Sequence, residues 1–139
     1  MNELDLKNEL NSYYRIRQLI RALENAEKEH KEYIKACEER GINYEEGIDY
    51  STKLNEAYKS ALIEKNKVLN YIELMSDYPT YKAVLYSRYI NNENTYEIAD
   101  TIMCGRRSVA RYQKHAIEIL LEKLQNMENQ TSLSENQMI

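Results

Sequence analysis

Pro79 is the only proline in this 139-residue chain, and glycine occurs only at positions 41, 47 and 105. Proline removes a backbone donor and clashes with the preceding turn, and glycine carries the largest entropic penalty in a helix. A chain so poor in both, and rich in Lys, Glu, Leu and Ala, has few places to stop a helix. The expectation is an all-α protein with its breaks near residues 41–49, 77–79, 91–94 and 103–105.

Apolar spacing fills in the segments between those breaks. Over residues 3–40, Tyr13, Ile16, Ile20, Leu23, His30, Ile34 and Cys37 follow alternating three- and four-residue steps, interrupted at Glu27. Leu6 and Leu10 extend that stripe, and Tyr14, Leu19, Ala26 and Tyr33 widen it. Gly41 is a natural C-terminal stop, and GINYEEGID forms a loop between two glycines. A second long helix then starts at Asp49 or Ser51 and turns Leu54, Tyr58, Ala61, Leu62, Val68, Leu69, Ile72 and Met75 inward. Two such helices on a short loop predict a long antiparallel helical hairpin, coiled-coil-like, over 1–76, with arms about 50 Å long. Its stripes are wider than one seam requires, so they call for a second surface, from another copy or from the C-terminal part of the chain.

Asp77-Tyr78-Pro79 separates the hairpin from the C-terminal segments. Pro79 suits the first turn of a helix over 79–90, with Tyr81, Val84, Leu85 and Tyr89 on one face. Asn91 to Asn94 make a turn. Asn94 or Thr95 can cap a short helix to Ile102, whose inward residues are Ile98, Ala99 and Ile102. The small Ala99 permits a second helix to cross closely. Met103-Cys104-Gly105 is the break, and the next helix runs from Arg106 to about Leu124. Together 77–124 predict a small three-helix unit containing a helix-turn-helix. The segment 125–139 is polar and aperiodic, and the expectation there is a flexible tail.

Formal net charge is −4, which argues against a polyanion as partner until its distribution is considered. Residues 1–76 carry net −3, the tail −2, and residues 77–124 net +1. Between Met103 and Ile117 stand Arg106, Arg107, Arg111 and Lys114, with no acid. At about 100° per residue, Val109, Tyr112, Ala116 and Leu120 share a buried stripe. Arg107, Ala110, Arg111, Lys114 and Glu118 lie on the opposite face. A basic N-terminal half of a second helix suits a DNA major groove, where Arg reads guanine edges or grips phosphate. The plain alternative is a solvated cationic face.

With those residues in place, 81–124 resembles region 4 of bacterial sigma factors, whose pattern runs roughly "RY, T, EIA, L-G-V-S-R-x-T-V, A-L-x-x-L". Here it stands as Arg88-Tyr89, Thr95, Glu97-Ile98-Ala99, Ile102-Met103-Cys104-Gly105-Arg106-Arg107-Ser108-Val109, Ala116-Ile117 and Leu120. Met103 replaces the usual turn glycine, and Gly105 replaces the Ser or Thr that caps the second helix. The overall architecture is similar to phage late-transcription regulators of the RinA, ArpU and LtrC type. The resemblance implies a sequence-specific DNA-binding regulator, a late-gene activator, with Arg106, Arg107 and Arg111 at the promoter-contacting positions. Lys114 is then a phosphate contact, with Ser108 and Ala110 beside it. Double-stranded DNA is the implied partner, and the widened stripes on residues 6–37 and 54–75 predict a homodimer through the hairpins. RNA polymerase or another phage or mobile-element regulatory protein is a further implied partner.

A competing class is a helical interaction module, an adaptor or inhibitor of polymerase or of a regulator without DNA binding of its own. A small terminase subunit ranks third, because its DNA-binding end normally comes first. No Gly-rich phosphate loop, HExxH or Ser/His/Asp arrangement occurs, so no enzyme, cofactor or metal is expected. His30 sits in an apolar stripe, where a seam role outweighs a metal role. Cys37 and Cys104 are expected as reduced thiols in a cytoplasm. No apolar run approaches a membrane span, and no signal peptide is expected from MNELDLKNEL. All aromatic slots fall to 13 tyrosines, with no Phe or Trp.

Overall fold

The computed structural model describes residues 1–43 and 45–137, and among them every regular element is helical. The elements are α1 (Glu3–Arg40), α2 (Glu45–Glu73), α3 (Pro79–Leu85), α4 (Thr95–Thr101) and α5 (Arg106–Gln137), with a π turn over Tyr86–Ile90 after α3. The chain divides into two compact units, one formed by residues 1–14 and 68–139 and the other by 15–67. The division therefore runs through both long helices, not through the break at Asp77-Tyr78-Pro79.

α1 begins and ends where its apolar stripe does. Asn2 opens it, its Oδ1 accepting from the Asp5 amide at 2.8 Å. Gly41 closes it at φ +68, with the Ile42 amide donating to the Cys37 carbonyl at 2.8 Å. This is the left-handed helix stop for which glycine carries no Cβ penalty. α2 starts earlier than its cap residues suggest, and Gly47 lies inside it instead of bounding a loop. Of the loop expected over 41–49, residue 44 lies outside the described residues.

In the first unit the apolar positions of four helices converge. Leu6, Leu10 and Tyr13 of α1 meet Val68 and Ile72 of α2, Met75 just beyond it, Leu85 of α3, and Ala116, Ile117, Leu120 and Leu124 of α5. Leu6, Leu10, Met75, Leu85, Ala116 and Leu120 are fully buried. Removing one such leucine typically costs about 2–5 kcal/mol. The excess width of the long-helix stripes at 6–13 and 68–75 is thus covered by the C-terminal helices of the same chain. α3 widens into the π turn, and that turn places both Ser87 and Ile90 inward. Asn92, at φ 54, closes it, with the Glu93 amide donating to the Ser87 carbonyl at 3.0 Å.

The second unit is held by a narrower seam. Among the described residues, Ile20, His30, Cys37 and Ala61 are buried in it. His30 meets the Tyr50 ring edge-on at 4.8 Å, and the Tyr58 hydroxyl reaches Glu24 at 3.4 Å. Leu19, Tyr33 and Ile63 stay exposed there.

α5 does not end near Leu124. It continues to Gln137, so the segment expected as a flexible tail prolongs the helix, and 138–139 lie outside the described residues. No glycine or proline interrupts 125–137, and backbone bonding continues without apolar burial: residues 125–131 are exposed throughout. Gln125 Nε2 also donates to the Met1 carbonyl at 3.2 Å. No helix of the described residues is long and apolar enough to cross a membrane.

Candidate nucleic-acid interface

The basic half of α5 is positioned by α4 and by the turn between them. α4 is short, seven residues, and a helix of that length needs its ends satisfied. Asn94 supplies the start: its Oδ1 accepts from the Glu97 amide at 2.9 Å, and Glu97 Oε1 accepts from the Asn94 amide at 3.2 Å. This reciprocal pair gives Glu97 a structural task in the Glu97-Ile98-Ala99 run. Thr95, the other candidate cap, is the first helical residue instead.

The far end of α4 closes on Met103. Its amide donates to Asp100 at 3.4 Å, and the Cys104 amide donates to Ala99 at 3.0 Å. That bond pair is the Schellman stop, and its pivot residue must be left-handed. Met103 takes that conformation at φ 55, without being glycine, and its side chain is 91% exposed. Gly105 follows, its carbonyl accepting from the Val109 amide at 3.1 Å to open α5. It offers no side-chain cap to the first turn.

With both ends set, α4 and α5 cross over a small separate core. Val84, Ile98, Ala99 and Val109 are buried together, flanked by Ile102, Cys104 and Tyr112. Ala99 is the small residue at the contact, in keeping with its place in the sequence. Val109 and Ala116 fix the rotation of α5, since both are 0% exposed.

That rotation turns Arg107, Ala110, Arg111 and Lys114 to solvent. Among the described residues, Arg107 and Lys114 make no ion pair or hydrogen bond, so their donors are available to a ligand. Arg111 lies 5.6 Å from the Tyr112 ring centre, a stacking contact that leaves its guanidinium edge open. Glu118, the nearest acid along this face, is met by His115 Nδ1 at 3.4 Å. Ser108 is half-buried at the margin of the patch.

Arg106 is placed differently from the other three. Its Nη1 donates to the Tyr96 hydroxyl at 2.6 Å, and its guanidinium carbon lies 4.5 Å from the Tyr96 ring centre. It is drawn toward α4, away from the row formed by Arg107, Arg111 and Lys114. Sequence spacing marks Tyr96 only as the start of a helix. An exposed aromatic ten residues before an arginine, across a turn, is the signal for its second role.

A second feature borders the basic row. Tyr81 lies 5.9 Å from Tyr78, 5.9 Å from Tyr112 and 6.5 Å from His115, measured between ring centres. The three tyrosine rings, with Pro79 and Ile119, line a shallow groove between α3 and α5. The three tyrosines form one aromatic cluster, none of them fully buried.

No family model, curated protein or solved structure matches the chain.

Proposed function

We propose that the chain is a sequence-specific DNA-binding transcription regulator that lays the N-terminal half of α5 into a major groove. The observation that carries this reading is the row Arg107, Ala110, Arg111 and Lys114, exposed and free of acidic partners, on a helix whose rotation is fixed by buried Val109 and Ala116. In this reading α4, the Met103 turn and α5 act as a helix-turn-helix with α3 as its brace. The sigma region 4 resemblance supports the same assignment, and favours a phage-type late-gene activator acting at a promoter in a cytoplasm. RNA polymerase, or another regulator of the same phage or mobile element, is then a protein partner.

Arg107 and Arg111 are one turn apart and enter the groove together, where a bidentate Arg–guanine contact discriminates by about 1–3 kcal/mol. Lys114 takes phosphate, and Ser108 and Ala110 line the approach. The long helices serve as a helical hairpin that pairs two copies. The contacts Glu24–Tyr58 and His30–Tyr50 run in opposite chain directions, as an antiparallel pair requires. A homodimer would offer two reading helices to a repeated or palindromic site.

The interaction-module reading is favoured by one observation, the exposed Leu19 and Tyr33 on α1. Binding to a duplex pool selected from random sequence, followed by titration at two salt concentrations, separates the two. A DNA reader loses affinity linearly in log salt and enriches a sequence. A chain that enriches none and binds no duplex at low salt is an interaction module.

A further inference from the structure

We infer that Tyr96 and Arg106 form a preset phosphate clamp at the edge of the α4–α5 unit, distinct in role from the base-reading row on α5. The inference rests on the DNA-binding reading above and adds a site to it.

The chemistry comes from the direction of one hydrogen bond. Arg106 Nη1 donates and the Tyr96 oxygen accepts, at 2.6 Å. A phenol that accepts keeps its own O–H as a donor. The guanidinium has five N–H donors, of which this contact uses one. Among the described residues neither group has another hydrogen-bond partner, and no carboxylate bonds to Arg106. Both side chains are exposed, Tyr96 at 63%. The pair therefore presents unused donors and one full positive charge, with no carboxylate bonded to it among the described residues. An anionic group with two acceptor oxygens, such as a phosphodiester, matches that set.

Stacking on Tyr96 sets the direction. With the guanidinium 4.5 Å from the ring centre, Arg106 is held toward α4. On the helical wheel it lies roughly 100° from the centre of the Arg107–Arg111–Lys114 row. A duplex whose base edges face that row meets Arg106 with its backbone. The ring also reduces the rotamer freedom that a long arginine would lose on binding. Tyr96 is thus a positioning residue for Arg106, and its O–H adds to the clamp only while the arginine holds the phosphate.

The test is a double-mutant cycle with Tyr96→Ala, Arg106→Ala and the combined variant, plus Tyr96→Phe. Affinity is measured on two probes: the duplex selected by the parent protein, and a duplex of random sequence. Thermal unfolding confirms that each variant keeps its fold, as expected for substitutions at exposed positions. Arg106→Ala should weaken both probes by the same factor and lower the salt slope by about one. Adding Tyr96→Ala to it should cost nothing more, because the two act as a unit. Tyr96→Phe, which keeps the stack and loses the hydroxyl, should fall between parent and Tyr96→Ala.

Loss of preference at one base pair on Arg106→Ala, with random-sequence affinity intact, would overturn the clamp and leave α5 as the reading helix. Independent, additive losses from the two single variants would also overturn it. If the parent bound neither probe, the DNA-binding reading itself would fall, and the clamp with it.

Discussion

Lys123 of α5 places its ammonium 2.5 Å from Asp77 and 2.8 Å from the Leu74 carbonyl, fastening the end of α2 and the start of α3 to α5. The same ammonium lies 5.2 Å from the Tyr78 ring centre. The hydrogen bond from Lys123 holds the Asp77 carboxyl below its ordinary range, more than desolvation raises it. A depressed folded value means that the contact stabilises the fold above the unfolded carboxylate range. The contribution disappears as pH falls through the folded value. Thermal melts of the parent should therefore lose part of their stability below about pH 4. Asp77→Asn should flatten that part of the profile by a small loss near neutrality, small because the group is exposed and well screened, and should match the parent at the acid end.

Met103 carries a left-handed backbone that L side chains adopt at a cost of roughly 1–2 kcal/mol. Its side chain is almost wholly exposed, so nothing is lost by deleting it. Met103→Gly should raise stability by about 0.5–1 kcal/mol, once glycine's greater unfolded-state entropy is deducted. An added Cβ at Gly105 meets open space. Gly105→Ser should then contribute a few tenths of a kcal/mol as an N-cap. Urea midpoints at unchanged m-value measure both, and a lowered midpoint for Met103→Gly would show that its side chain does more than point outward.

Ala116 is fully buried among Leu85, Leu120 and the α1 leucines. Ala116→Glu would bury an unpaired carboxylate and should unfold the first unit, a loss of several kcal/mol. Far-UV circular dichroism during thermal denaturation reads it directly. A variant with the parent's melting temperature would reject the placement of α5.

The helical class, the bounds of α1 and the crossing at Ala99 were legible because periodicity and breakers act locally. Ile98, Val109, Ala116 and Leu120 fell on inward faces simply by their spacing. The end of α5 was not legible: polarity after Leu124 says that a segment buries nothing, but without a breaker the helix has no local reason to stop. Nor was the π turn at Tyr86–Ile90, which depends on how Ser87 and Ile90 fit a core built from distant segments. Which partner the long-helix stripes meet is a tertiary choice, and at Leu6, Leu10 and Ile72 it fell to α5. The Arg106–Tyr96 contact escaped for a related reason. Wheel angles place side chains on a cylinder, whereas a long arginine turns toward its nearest aromatic partner.

Leu19 and Tyr33 on α1 remain 50% and 57% exposed, with Ala22 and Ala26 between them at helical spacing. Such an apolar stripe on a water-facing helix is what a second helix covers in a coiled-coil pairing. Sedimentation equilibrium at micromolar concentration should give a dimer of the 16.5 kDa chain. Leu19→Glu with Tyr33→Glu should shift it to monomer without loss of helicity. A parent protein that sediments as monomer throughout would remove the pairing role from these helices.

Arg107 and Arg111 stand one turn apart on the exposed side of α5, with Lys114 next along the row. Neither arginine supports the core, since Val109 and Ala116 face the other way. Arg107→Ala or Arg111→Ala should cost about 1–3 kcal/mol on the selected duplex and relax preference at one base pair each. Lys114→Ala should instead weaken every sequence alike and reduce the salt slope by about one. The contrast matters, because a loss of positive charge alone predicts the second pattern for all three residues. Melting temperatures should match the parent in each case. If the double variant Arg107→Ala, Arg111→Ala kept the parent's affinity and its sequence preference, α5 would not be the reading helix, and the exposed stripe on α1 would become the leading functional surface.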